Sequence, residues 1–495
     1  MKVERQVLIM CVRTGRIVTM KVKVMEGMEE SRLVNTGSRL PQEQHPVYPV
    51  DGERLMSLSG QLPGGKSSKD FLREKARLYR ASATNSTHAP FAHKAIAIMD
   101  HLLLQRPFHK SKSKDHIKCL FARLKLWKEG NIAQLLRESS ELQHRFVAQR
   151  RVLSMKADRE DDDEAYRFAQ LIFEGDERRA HRMLDAMGGT GVQELTPEVR
   201  QTLSDIHFAD EPARESALLK GPVLPIPDAV FDSITGAAIK DAALRTRGGA
   251  GPSGANAKHW KEQLTSFGDI SRELCDAMAD FTRTMCTEFM TVEELEAFLA
   301  NRVVPLDKNP GTRPIGVGEV PRRIVAKVVL VVAKDDIKEA AANTNLCVGQ
   351  EAAVEALFRH MQEVFAGDDC DAILLVDAEQ GFQRLNRKVT LHNIKYICPI
   401  LFTMVVNVYR GAARAVVALD FELESREGVT MGCPLAMTIY GLALVPLIEF
   451  LRSECGTEPT VSQSVCGASF AASQSISQSD LSDLERHSLQ RLRSR

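Results

Sequence analysis

The chain has 495 residues, 44% of them hydrophobic and 26% charged, an ordinary globular balance over a length typical of about three domains. Lys plus Arg and Asp plus Glu both number 65, so the chain is formally neutral. This excludes a polybasic coat protein or an acidic-tail protein as the global description. It leaves nucleic-acid binding open, because only the field near a ligand matters. The 10 cysteines contain no C-x-x-C pair and no zinc-knuckle spacing, and the N-terminal apolar run is too short for a signal segment. The expectation is a reduced intracellular protein with no membrane span. "PLAMTIYGLALVPLIEFL" (434–451) reaches spanning length, but Pro446 and Glu449 interrupt it.

In chain order, residues 1–25 read as a β-hairpin. "QVLIMCV" and "IVTMKVKV" are apolar and β-branched, with Gly15 in the turn. Residues 26–69, rich in Gly, Pro, Ser and Gln, read as linker. Residues 70–215 read as a helical, partly basic region. At Gly130-Asn131 and Gly175-Asp176 an amphipathic run stops at glycine and an Asx residue starts the next helix, which is helical-hairpin chemistry. A basic stretch (Lys110, Lys112, Lys114, Lys118, Arg123, Lys125, Arg145, Arg150, Arg151) meets the acidic "DREDDDE" (158–164). It reads either as solvated helix faces or as a phosphate-contact surface. A Pro-rich linker follows over 216–241. Residues 242–451 alternate helices with short apolar strands, so the fold class is expected to be α+β. Residues 452–495 are Ser-rich, with no sustained apolar pattern, and are expected to be a disordered tail.

Four blocks in 242–451 carry chemistry. "RTRGGAGPSGANAKHWKEQL" (245–264) surrounds four glycines with Arg245, Arg247, Lys258 and Lys261, and taken alone reads equally as a flexible loop between helices. "VVPLDKNPGTRPIGVGEVPRRIVAK" (303–327) reads as two strands about a Pro310-Gly311 turn, with Lys308 and Arg313 placed to converge on a polyanion. Residues 302–338 carry a local net charge of +4. "DAILLVDAEQGFQRLNR" (371–387) reads as a buried central strand ending at Asp377, as a metal or phosphate site or simply a helix N-cap, with Phe382 at the mouth of the same cleft. "EGVTMGCPLAMTIYGLAL" (427–444) reads as a turn at Gly428 and Gly432 before a long apolar helix.

In this order and spacing the blocks resemble the reverse-transcriptase domain of retrotransposons, of the kind lacking long terminal repeats, over about 242–451. The resemblance implies an incomplete fingers and palm domain following the helical N-terminal region. It also implies RNA and DNA as template and primer, deoxynucleoside triphosphates as substrates, and Mg²⁺ as cofactor. By resemblance Lys308 and Arg313 contact the triphosphate, and Asp377 is the catalytic metal-binding carboxylate, with the carbonyl of Ala378 beside it. Phe382 is the aromatic gate against a ribose 2′-hydroxyl, and Met431 and Gly432 line the nucleotide pocket.

Two departures matter. The family's Gln-Gly pair is Met431-Gly432 here, and a thioether lacks the amide's donor and acceptor. The later aromatic-x-Asp-Asp hairpin has no counterpart, so the expected reading is a truncated, catalytically incomplete enzyme. The alternative is a non-enzymatic RNA- or DNA-binding protein of retroelement origin.

Overall fold

The computed structural model describes residues 4–11, 16–23, 62–83, 89–105, 107, 112–154, 191–308, 311–341, 348, 359, 372–373, 380–418 and 420–455. Asp377, Ala378, the turn with Gly15, the Gly175-Asp176 hairpin, the acidic run and the tail from 456 lie outside them. The chain divides into two compact units: Met1–Val47, Ala341–Gly381 and Val445–Arg495 in one, Tyr48–Ala340 and Phe382–Leu444 in the other.

In the smaller unit, β1 (Glu4–Cys11) and β2 (Arg16–Lys23) form the expected antiparallel hairpin, in register from Glu4↔Lys23 to Cys11↔Arg16. A lone two-stranded ribbon is marginal in water. A third strand, β5 (Ala372–Ile373), pairs with β1 through Met10↔Ile373 and Cys11↔Ala372, in the order β2-β1-β5. Of the "AILLV" run only Ala372 and Ile373 are described, and they join this sheet; the expected strand end at Asp377 lies outside the described residues. An apolar run implies burial of a strand without naming its neighbour.

The larger unit begins with α1 (Lys66–Ala83), α2 (Ala89–Leu103), α3 (Ser113–Lys128), α4 (Ile132–Ser154) and α5 (Pro197–Ile206). After them come α6 (Gly236–Arg245), α7 (Ala257–Thr265), α8 (Asp269–Thr287) and α9 (Val292–Leu299). Helix α1 packs along α8, burying Phe71, Leu72 and Tyr79 against Leu274, Met278 and Phe281, with the Tyr79 and Phe281 rings 5.8 Å apart. The helices before the Pro-rich stretch thus share a core with those after it.

Two linker expectations are trimmed. Helix α1 starts at Lys66, and α6 starts at Gly236, where Thr235 accepts a hydrogen bond from the Ala238 N–H as an N-cap. The prolines of the 216–241 segment all precede that cap, so they do not oppose the helix. Between α3 and α4 the chain turns at Gly130 (φ +72°), as its sequence predicts. Arg123, counted in the basic stretch, is buried. It donates to Glu138 and to the carbonyls of Leu103 and Gln105, so it serves the fold.

The sheet of this unit has the order β4-β3-β6-β7. Strands β3 (Asn301–Asp307) and β4 (Thr312–Gly318) form the hairpin foreseen around Pro310-Gly311. Strand β6 (Ala413–Ala418) lies parallel to β3, and β7 (Phe421–Ser425) is antiparallel to β6. Leu203 of α5 packs with Val303, Ala415 and Val417. The remaining helices are α10 (Val320–Val332), α11 (Lys334–Ala341), α12 (Gly381–Arg384), α13 (Arg387–Ile397), α14 (Phe402–Tyr409) and α15 (Pro434–Cys455). Among the described residues no helix is long and apolar enough to cross a membrane. The protein is a mixed α+β chain, mostly helical.

Candidate nucleic-acid interface

Three of the four blocks meet around the β3–β4 hairpin. The Gly316 N–H donates to the Met431 carbonyl at 2.9 Å, docking β4 on the 428–432 loop. Gly432 sits at φ +105°, and a Cβ there would lie 2.5 Å from the Gly316 carbonyl, so both the turn and the close approach require glycine. Met431 makes this contact through its main chain, which any residue supplies. Val429 N–H donates to the Phe382 carbonyl at 2.7 Å. The Phe382 ring is buried against Tyr440, with centroids 5.0 Å apart, where an open cleft mouth was expected. The pinned main chain and the cover from α15 account for that difference.

A cleft of about 40 Å³ remains between β4 and this loop, lined among others by Asn301, Pro314, Gly316, Gln383 and Met431. Lys308 and Arg313 sit toward the turn end of the hairpin and are not among its lining residues. Lys308 is exposed, its N–H donating to Gly311, and Arg313 lies opposite Leu306. The structure therefore joins Met431 and Gly432 to β4, and Phe382 to the loop at Val429.

Buried arginines brace the loop and the start of β3. Arg387 donates to the carbonyls of Gly428, Glu427, Ser425 and Gly411. Arg322 donates to Leu299 and Asn301.

Asp377, the expected Mg²⁺ ligand, lies outside the described residues. No group of three or more His, Cys, Asp or Glu side chains among the described residues could hold a metal. Glu427, beside the cleft, already accepts from the main-chain N–H groups of Glu211 and Arg387. Magnesium takes near-octahedral oxygen coordination through one or two carboxylates with waters or phosphates completing it.

The first block forms a denser site. Its glycines make the loop between α6 and α7, and side chains from β3 and α10 hold its carbonyls. Arg323 donates to Arg247 and Gly249, Arg302 to Ala250, and Lys327 to Arg245. Beneath the loop lies Glu319, which accepts from the Ser253 N–H (2.6 Å) and hydroxyl (2.7 Å). A Cβ on Gly251 would come within 2.8–3.0 Å of the Glu319 main-chain nitrogen, Cα and carboxyl carbon, so a side chain is excluded there.

Arg245, Arg247, Arg302, Arg323 and Lys327 make no ion pair within 4 Å among the described residues, and Arg245, Arg247, Gly248 and Gly249 are exposed. Burial, and then the charges of Arg323, Arg245 and Arg247, pull Lys327 below the usual lysine value. Burial likewise lowers Arg323, with Glu319 opposing and Arg302 reinforcing that shift. These cations feel one another and lack full compensation.

Sequence reasoning missed what lies behind the loop. Lys75 donates to both Asp100 oxygens and to Gln263, each at 2.7 Å, and stacks 3.9 Å over Trp260. On a helix, single charged residues read as solvent-facing, and no local pattern pairs positions from three helices. The signal available was Glu319, the one acid inside "RPIGVGEVPRRIVAK". No protein-family model and no curated protein matches this chain.

Proposed function

We propose that residues 242–451 are a reverse-transcriptase-like module that binds RNA or DNA by its phosphates and does not extend a primer. The observation that carries this reading is the cluster of Arg245, Arg247, Arg302, Arg323 and Lys327 on a glycine-rich loop, opposed by one buried carboxylate. Arginine can bridge phosphate oxygens in a bidentate way, and exposed glycines let a sugar-phosphate backbone approach closely. The spacing of the four blocks supports the family reading, and Met431 in place of the family's glutamine, with no amide donor and acceptor, supports the lack of nucleotide addition.

A second reading, a working RNA-directed DNA polymerase using Mg²⁺ and deoxynucleoside triphosphates, draws on the Lys308–Arg313 hairpin and on Asp377. One experiment separates the two. The purified chain is given labelled RNA and DNA, then primer, template, nucleotides and Mg²⁺. Salt-sensitive binding without extension is expected. Robust extension that vanishes in Asp377→Ala would establish the polymerase instead.

A further inference from the structure

We infer that Glu319 is a positioning residue of the glycine-rich loop that takes up a proton when a nucleic-acid phosphate binds there. The inference rests on the nucleic-acid reading and adds its regulation. The geometry is direct. Both carboxylate oxygens of Glu319 hold Ser253, Gly251 packs on its main chain, and Arg302 and Arg323 grip the carbonyls of the same loop. One buried negative charge thus sits under the loop that a polyanion would cover.

Among the described residues, the charged and titratable neighbours of Glu319 come from α1, α2, β3 and α10. Lys75 of α1 is held by Asp100 of α2 and by Gln263 of α7. Arg302 and Arg323 face the carboxylate from β3 and α10, and both stay cationic. Burial pulls His93 down to about 4 and pushes Tyr79 up, so neither titrates near neutrality. Burial also pushes Glu319 up to about 7; Ser253 favours its charged form, Asp100 adds to the rise and Arg323 opposes it. A cavity of about 20 Å³ touches Glu319, Tyr79, His93 and Trp260, with room for a water. Tyr79 Oη, His93 Nε2 and Trp260 Nε1 find no other partner among the described residues.

A phosphodiester approaching Arg302 and Arg323 adds negative charge beside a carboxylate already disfavoured as an anion. The like charge favours the protonated acid, and the proton comes from buffer. By linkage, affinity then rises as pH falls.

The test is calorimetric titration of the full chain with a single-stranded oligoribonucleotide at pH 7, in two buffers of different ionisation enthalpy. Uptake of up to about half a proton per complex is expected, because a group near its midpoint is half protonated before binding. Affinity should fall roughly fivefold from pH 6 to pH 8. Glu319→Gln, nearly isosteric, should bind with no proton uptake and with equal affinity at both pH values. Binding by the wild type without proton uptake, or uptake that persists in E319Q, overturns the role of Glu319 and leaves the nucleic-acid reading standing. No binding at either pH overturns both.

Discussion

Two sets of arginines hold main-chain carbonyls in the larger unit, and they differ in where they stand. Arg322 and Arg387 are buried, 2% and 6% exposed, and both lie within 6 Å of the Tyr409 ring. They fasten the α9–β3 junction and the 425–428 turn in place. Arg302 and Arg323 also hold carbonyls, but from the half-buried rim of an exposed loop, with Arg245, Arg247 and Lys327 beside them. The same bond type is architecture in one place and part of an incompletely neutralised field in the other. A tally of cations along the sequence mixes the two, and burial separates them.

The comparison breaks most visibly at Arg387. Arg387→Ala should cost about 3–5 kcal/mol, because it strips four carbonyls of a buried donor. Arg323→Ala should cost about 1 kcal/mol while weakening RNA binding. Urea unfolding of both variants decides this, and equal losses would erase the distinction.

Glu319 gives the next effect, with an unusual sign. Burial pushes the pKa of its carboxyl up to about 7 from the usual 4.5. A raised acid stabilises the fold fully below pH 4.5 and loses that contribution as pH climbs through 7. At about 1.4 kcal/mol per pH unit this amounts to roughly 3 kcal/mol. Glu319→Gln should therefore unfold later than wild type at pH 8, with the advantage shrinking by pH 5. A variant less stable at pH 8 than at pH 5, relative to wild type, would contradict the burial of the charge.

Gly251→Ala should cost about 1–3 kcal/mol, since its methyl meets main-chain atoms of Glu319 that cannot swing away. An unshifted melting temperature would mean the loop does not seat on Glu319. Smallest of all, Arg426→Ala removes an exposed pair with Glu424 and should change stability by less than about 0.5 kcal/mol.

The sequence made the local elements readable wherever turn chemistry was explicit. The hairpin about Pro310-Gly311, the stop at Gly130 and the N-terminal hairpin all follow from residues adjacent in the chain. What joins distant segments was not readable. The partner of Ala372-Ile373, the parallel neighbour β6 of β3, and the Lys75–Asp100–Gln263 contact depend on tertiary packing that no periodicity encodes. The site was half legible. The glycines and arginines of 245–251 stand out as a loop, but the carboxylate beneath it comes from Glu319, which the sequence around α10 alone does not tie to Ser253.

The central claim is that the cations around this loop bind a nucleic-acid backbone. RNA affinity measured against salt concentration tests it directly, in the wild type and in the triple variant Arg245→Ala, Arg247→Ala, Lys327→Ala. With a slope near −0.7 per phosphate contact for single strands, the wild type should give about −3 and the variant about −1 on logarithmic axes. Equal slopes, or binding indifferent to salt, would contradict the account.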